Sequence, residues 1–235
     1  MSIAQNIAAI RAEIAEAAIA AGRDPTEIKL CAATNMNDAQ WVREAVAAGV
    51  DCCGENRVQE LAAKLSEDAY RGAPVHFIGH LQTNKVRQVV GKVDLIQSVD
   101  SVRLMEAIQK EAARQDLFQD ILLEVNIAGE ESKSGFAPSQ IHDALSKMGA
   151  FPNLKVKGLM AIPPICQNPG DNHKFFQEIC ALAVDITAKK YDNVWVEILS
   201  MGMSDDFRDA IACGSNMIRL GTAIFGARDY VNSHR

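Results

Sequence analysis

The sequence alternates short apolar segments with longer amphipathic ones, and eight such alternations fit into 235 residues. Each apolar segment is a continuous run, which is typical of a strand that is buried on both faces of a parallel sheet. The predicted strands are 28–34, 51–53, 75–78, 95–98, 121–126, 155–160, 194–198 and 217–220. Eight strand–helix units in this length favour a closed (β/α)8 barrel over an open doubly wound sheet. No G-x-G-x-x-G follows any strand, so the dinucleotide-binding signature is missing.

An additional helix is predicted before the first strand. Ile3, Ile7, Ile10 and Ile14 recur at helical spacing in an Ala-rich stretch that ends at Gly22. The pattern predicts an N-terminal helix over 1–22, followed by a barrel over 28–226. Because no linker or low-complexity tract interrupts the pattern, the chain 1–235 is expected to form a single domain.

Composition narrows the partners that this chain can have. The net charge of −6, without a basic stripe, argues against nucleic-acid binding. No apolar run is long enough to span a membrane, and the first residues lack a signal-peptide pattern. The chain is therefore expected to be cytoplasmic, and its helical pattern is compatible with a monomer. The cysteines are expected to be reduced, buried and scattered, with Cys52 and Cys53 on opposite faces of a strand; they are Cys31, Cys52, Cys53, Cys166, Cys180 and Cys213.

Two late segments, 196–206 and 217–226, carry the strongest functional signal. Each is an apolar strand that runs into small residues and then begins a helix. Small residues let backbone N–H groups approach a ligand, and a helix N-terminus favours an anion. Such turns on consecutive late strands are where a barrel builds a phosphate site. The alternative is turn chemistry alone, with Ser204 as the N-cap of a helix over 205–212.

Polar residues also follow the earlier strands, at the end of a barrel where active sites lie. Glu55 is expected to cap the following helix, whereas His80 is expected to be either a rim histidine or a ligand contact. Lys133 is expected to be solvated on a loop. Arg219 is a charge within an apolar strand and needs a partner, either a carboxylate such as Glu197 or the ring of a ligand.

Four runs of residues resemble the pyridoxal phosphate homeostasis protein family, which is similar to the barrel domain of alanine racemase. They are Gly54–Glu60, His76–Lys85, Ser200–Asp205 and Ile218–Gly226. The resemblance implies a pyridoxal 5′-phosphate-binding protein that controls free cofactor levels and has no turnover of its own. It places Arg219 at the pyridine nitrogen and Asn56 along the ring, and His80, from its position after the third strand, is predicted as a further cofactor contact. The phosphate is then surrounded by Ser200, Met203, Ser204, Gly221 and Thr222.

One departure from this family changes the expected chemistry. The family's first strand ends in a pattern like Leu-x-Ala-x-Ser/Thr-Lys, whose lysine forms a Schiff base with the cofactor aldehyde. Asn35 stands at that position, and its amide is not nucleophilic. No catalytic residue and no metal ligand is therefore predicted. Three outcomes stay open: non-covalent cofactor binding, capture of the cofactor by another amine, or a site that is empty or holds an anion.

Two other functions compete with this interpretation. One is an enzyme, either an amino-acid racemase that uses the same cofactor or an aldolase that acts on a phosphorylated sugar. Asn35 argues against both, because each needs a lysine or another base at a strand end. The other is an interaction protein with a vestigial pocket.

Overall fold

Eight parallel strands form a closed barrel in which each strand pairs with its neighbours in the chain, and the last pairs with the first. The computed structural model describes residues 1–130, 132–165, 168 and 170–226. The predicted (β/α)8 barrel is confirmed, and every predicted strand is present. The strands are β1 Lys29–Ala33, β2 Cys52–Glu55, β3 Val75–Phe77, β4 Leu95–Val99, β5 Gln119–Val125, β6 Leu154–Ala161, β7 Val194–Ser200 and β8 Met217–Leu220.

Helices cover the outside of the barrel. They are α1 Ile3–Ala20, α2 Ala39–Ala47, α3 Val58–Ser66, α4 Val102–Arg114, α5 Ile141–Ser146, α6 His173–Lys189, α7 Phe207–Ala212 and α8 Thr222–Phe225. Short 3₁₀ helices occur at Pro25–Glu27, Thr83–Gln88, Pro138–Gln140 and Met148–Ala150. The segment after β3 therefore forms a six-residue 3₁₀ helix, whereas β1, β2 and β4 are each followed by an α-helix.

The predicted N-terminal helix is confirmed as α1. It begins with a capping box, in which the Ser2 hydroxyl accepts from Gln5 N and the Gln5 side chain accepts from Ser2 N. Ile3, Ile7, Ile10 and Ile14 are buried against the outside of the barrel, whereas Ile19 is exposed. The Asn6 amide donates to the carbonyl of Ile224 at 2.9 Å, which ties α1 to the short α8 beside the predicted phosphate turns.

Side chains alternate between the barrel interior and the layer of helices. On β1, Leu30 and Ala32 belong to the large outer core, whereas Cys31 packs with Cys52 and Met217 in a small separate cluster inside the barrel. Cys53 belongs to the outer core, so the predicted opposite orientation of Cys52 and Cys53 is confirmed. The expectation of scattered cysteines is wrong, because strand register places Cys31 beside Cys52.

Of the three cysteines outside the barrel strands, the structure describes two. Cys180 and Cys213 are free thiols that are only partly buried, and Cys166 lies outside the described residues. Across the part of the chain that the structure describes, no helix combines the length and apolar character needed to cross a membrane.

Candidate functional site

A cavity of about 270 Å³ opens at the carboxyl ends of the strands. Seven of the nine residues predicted to contact the ligand line it. They are Asn35, Asn56, Met203, Ser204, Arg219, Gly221 and Thr222. Because these residues follow β1, β2, β7 and β8, only closure of the barrel brings them together.

The loops after β7 and β8 form one end of this cavity. The hydroxyl oxygens of Ser204 and Thr222 lie 3.2 Å apart, so two hydroxyl groups converge at this end. Gly202 makes the turn after β7 with φ +99°, and a Cβ there would lie 2.7 Å from the Cβ of Ala210. Only glycine fits, because the backbone is left-handed and the turn packs directly against α7.

Ser204 does not cap the following helix, so the predicted N-cap role of Ser204 is wrong. The helix begins at Phe207 and its N-cap residue is Asp206. The Asp206 carboxylate accepts a hydrogen bond from Met203 N at 2.7 Å and thereby holds the loop closed. This arrangement leaves the Ser204 hydroxyl directed toward Thr222 at the cavity.

Arg219 extends from β8 into the barrel and is 5% exposed. Its guanidinium donates to the carbonyl and the hydroxyl of Ser200, both at 2.7 Å, and to the carbonyl of Ala161 at 3.0 Å. Burial lowers the pKa of Arg219, but an arginine remains charged in proteins. The predicted pair with Glu197 is wrong, because Glu197 is exposed and bonds Lys157. Each of the three hydrogen bonds ends on a neutral oxygen, and the charges of Cys31, Glu124 and Asp206 act on the guanidinium without a hydrogen bond to it.

Ser200 is not a lining residue, which corrects one predicted ligand contact. It is fully buried, and its hydroxyl donates to Gln97 Oε1 at 2.6 Å while it accepts from Arg219. The side chain points into the barrel because Ser200 ends β7, one residue before the turn. Ser200 therefore positions Arg219 and does not reach the cavity.

The opposite wall of the cavity carries Asn35, which is 7% exposed and follows β1. Behind it lies a buried network of Thr34, Glu55 and Lys64. The Lys64 ammonium donates to the Glu55 carboxylate and to the Thr34 carbonyl, each at 2.6 Å. Glu55 is fully buried, so the prediction that it caps a helix is wrong. Lys64 therefore lies on the outer side of β1 and β2, away from the cavity.

A second cavity of about 280 Å³ adjoins the first and shares Asn56, Ile78 and Ile162 with it. His80, Glu124 and Lys133 line this second cavity. His80 thus lies beside the predicted site and not in it. Its Nδ1 is 3.1 Å from both Asp100 Oδ2 and Ser134 Oγ. His80 therefore occupies the rim between the loops after β3, β4 and β5.

The second cavity contains a carboxyl group with an unusual acidity. Burial and, to a smaller extent, the nearby Asp100 charge together raise the pKa of Glu124 to about 7. Lys133 lies across this cavity, where its ammonium is 2.7 Å from Glu130 and donates to the Pro163 carbonyl at 3.2 Å. The expectation of a freely solvated Lys133 is therefore wrong.

Sequence reasoning missed two interior residues of this region, Gln97 and Glu124. Each is a polar residue within an apolar strand, on β4 and β5. The same signal singled out Arg219, so it was available for both. Their roles depend on the interior side chains that they contact, and only the closure of the barrel determines those contacts.

Comparison with known proteins agrees with this arrangement. Residues 2–229 match the family model described as alanine racemase, N-terminal domain. A pyridoxal phosphate homeostasis protein from Aquifex aeolicus (strain VF5) is 40% identical over 230 residues, which are 98% of this chain and 100% of the relative.

Two solved structures have a fold similar to that of this chain. PipY of Synechococcus elongatus PCC7942, with PLP bound, is 30% identical with a TM-score of 0.82, covering 96% of this chain and 100% of PipY. An alanine racemase from Clostridium difficile 630 is 13% identical with a TM-score of 0.68, covering 86% of this chain and 52% of the racemase, and shows the shared fold alone. The chain therefore belongs to the pyridoxal phosphate homeostasis protein family, built on the fold of the alanine racemase N-terminal domain.

Proposed function

We propose that this chain binds pyridoxal 5′-phosphate non-covalently and serves in the homeostasis or carriage of that cofactor. One observation carries the proposal. Ser204, Thr222 and Arg219 line one cavity with Asn35, and no lysine is among the residues that line it in the described part of the chain. The relatives named as homeostasis proteins and the PLP-bound PipY support the choice of ligand.

The polar groups of the cavity suit the three polar ends of this cofactor. The Ser204 and Thr222 hydroxyls, with the small Gly221 beside them, suit a phosphate. Arg219 carries a buried positive charge that can only donate hydrogen bonds, so it suits an unprotonated ring nitrogen. When bound, the cofactor supplies an aldehyde, and Asn35 is positioned to hydrogen-bond an oxygen there without forming a bond to carbon.

We propose further that the protein is not an enzyme. Racemisation requires a base that removes a proton from a substrate carbon, and such bases are usually lysine, histidine, tyrosine or a carboxylate. Asp205 and Arg219 are the charged residues that line the cavity in the described chain. Arginine cannot act as a base, and Asp205 follows Ser204 in the loop at the phosphate end. Racemisation of alanine above background by the cofactor-loaded protein would overturn this part of the proposal.

The test is a titration of the unaltered protein and Asn35→Lys with pyridoxal 5′-phosphate. The unaltered protein is expected to bind the ligand, to lose it on dialysis, and to keep its mass after borohydride reduction. Asn35→Lys is expected to retain one ligand per chain as a mass increase that borohydride fixes. Absorbance and intact mass spectrometry measure both outcomes.

Gln40→Lys is the matched control, because it also adds a lysine near the end of β1, but at an exposed position of α2 that lines a different surface pocket. It is expected to behave like the unaltered protein. A borohydride-fixed adduct on the unaltered chain would contradict non-covalent binding. Failure of both the unaltered protein and Asn35→Lys to bind at millimolar concentrations would contradict the ligand assignment itself.

A further inference from the structure

A second group of reactive side chains lies inside the barrel, apart from the cavity. Cys31 and Cys52 are direct register partners on β1 and β2, and His76 follows on β3. One potential ligand atom from each of the three residues falls within 4.8 Å of the others. Two sulfurs and an imidazole nitrogen at this spacing are within reach of a single cation.

This cluster lies in the interior layer of side chains directly below the cavity, because Cys31 is the register partner of Arg219, which lines the cavity. Cys52 and Met217 are the first residues of β2 and β8, which places them toward the amino-terminal mouth. Cys31 is 0%, Cys52 is 3% and His76 is 7% exposed, so the cluster is enclosed but not fully sealed. None of these residues lines the cavity that holds Asn35. The cluster is therefore separate from the proposed cofactor site.

We propose that Cys31, Cys52 and His76 bind one thiophilic d10 cation, Zn²⁺ or Cu⁺, inside the barrel. Thiolate sulfur and imidazole nitrogen are the donors that both ions prefer. Bond lengths of about 2.3 Å to sulfur and about 2.0 Å to nitrogen set the ligand atoms roughly 3.5–4 Å apart in a tetrahedral site. The present spacing requires closure by only about 1 Å, which side-chain rotation supplies without movement of the strands.

The acidity of the two thiols supports this geometry. The hydrogen bond from the Cys52 thiol, together with the smaller effect of His76, lowers the pKa of Cys31 to about 6, although burial acts in the opposite direction. The same hydrogen bond to Cys31 raises the pKa of Cys52. Binding of a cation to both sulfurs displaces their thiol protons to solvent.

The surrounding charge also favours a cation held by two thiolates. Arg219 is the register partner of Cys31 on β8, so a permanent positive charge lies on the next strand. Two thiolates with Cu⁺ carry a net charge of −1, which Arg219 balances, and two thiolates with Zn²⁺ are neutral. Either complex avoids the burial of two adjacent uncompensated negative charges.

Two neighbours complete the environment of the cluster. Gln97 Nε2 donates to His76 Nδ1 at 2.8 Å and orients the imidazole. With a cation on Nε2 the ring proton would be on Nδ1, so the Gln97 amide would have to turn its oxygen toward Nδ1 to accept it. Met217 packs against both cysteines, and its thioether accepts from Gln97 Nε2 at 3.2 Å. A soft thioether beside two thiolates is a suitable additional ligand for Cu⁺.

The test uses the reduced full chain without added cofactor. Co²⁺, as the probe for Zn²⁺, is expected to give a thiolate-to-metal absorption band that saturates at one equivalent and disappears on addition of Zn²⁺. Cu⁺ is measured by competition with bathocuproine disulfonate. Cys31→Ala and Cys52→Ala are each expected to abolish the band and to weaken binding by about 100-fold or more.

Cys53→Ala is the matched control, because Cys53 is equally buried and adjacent in sequence but faces the outer core. It is expected to bind as the unaltered protein does. Should a cysteine variant fail to fold, alkylation of the unaltered protein during unfolding in guanidinium decides: bound cation is expected to slow the reaction of Cys31 and Cys52, which are buried in the folded protein, and to leave the rate of the partly exposed Cys213 unchanged. Absence of binding at one equivalent, or protection of other cysteines, would overturn the proposal.

Discussion

In the described part of the chain, the buried lysine and the buried arginine differ in what balances their charge. Lys64 and Arg219 are each 5% exposed. Lys64 meets the Glu55 carboxylate at 2.6 Å, whereas Arg219 hydrogen-bonds only the neutral oxygens of Ser200 and Ala161. A buried charge with its own counter-charge is complete within the chain. A buried charge that hydrogen-bonds only neutral acceptors can still bind an anionic or acceptor group of a ligand, and we propose that this difference separates the structural cation Lys64 from the ligand-binding Arg219.

The position of each residue in the fold explains the difference. Lys64 projects from α3 toward β1 and β2, where the inward face of the helix meets a strand-end carboxylate. Arg219 projects from β8 into the barrel interior, where hydrogen bonds to carbonyls direct its guanidinium toward the cavity. The charge of Lys64 thus supports the wall behind Asn35, and the charge of Arg219 forms part of the cavity itself.

Removal of Lys64 is expected to have the largest effect on stability. Lys64→Met leaves the fully buried Glu55 carboxylate without a counter-charge, which costs about 3–5 kcal/mol of unfolding free energy. Guanidinium unfolding followed by circular dichroism measures the loss. The double variant Lys64→Met, Glu55→Gln is expected to recover more than half of it, because the buried negative charge is then gone. A loss within the error of the unaltered protein would show that the ion pair is not structural.

Removal of Arg219 is expected to act mainly on ligand affinity. Arg219→Met is expected to weaken pyridoxal 5′-phosphate binding by about 10- to 100-fold, because one charge-assisted hydrogen bond contributes about 1.5–3 kcal/mol. Its loss of unfolding free energy is expected to be smaller than that of Lys64→Met, since no carboxylate loses a partner. Equilibrium titration and guanidinium unfolding measure the two effects. The reverse result, unchanged affinity with a larger loss of stability, would make Arg219 a structural residue.

The ionisation of Glu124 decides whether a carboxyl group near Arg219 supplies the counter-charge that the hydrogen bonds of Arg219 do not provide. Burial raises its pKa from 4.5 to about 7, so the folded protein holds this proton where the unfolded chain has released it. The resulting stability is fully present below pH 4.5 and is lost as the pH rises through about 7. Because Glu124 lines a cavity open to water, the effect is expected to be about 1–2 kcal/mol, less than the full shift implies.

Unfolding at pH 5 and pH 8 measures this difference. The unaltered protein is expected to lose more stability between the two values than Glu124→Gln, whose amide does not titrate. Parallel pH profiles would show that Glu124 is ionised in the folded protein at pH 5 and already balances Arg219.

Much of the fold could be predicted because its signals are local. Continuous apolar runs and helical spacing located all eight strands and α1, and the small residues after β7 and β8 indicated a ligand site at their ends. Residues with a local signal but a distant partner were predicted less well. The roles of Ser200 and Glu124 are set by contacts inside the barrel, and that of Glu55 by the packing of α3 against β2. Strand periodicity carries no information about such contacts.

The sequence by itself determined the barrel, the family and the presence of asparagine where a lysine is expected, because each depends only on residue types and their order. The tertiary structure decided which polar groups meet. It placed Ser200 behind Arg219, enclosed Lys64 with Glu55, and brought Cys31, Cys52 and His76 together on three strands. Closure of the barrel fixes strand register, and register determines which interior side chains become neighbours.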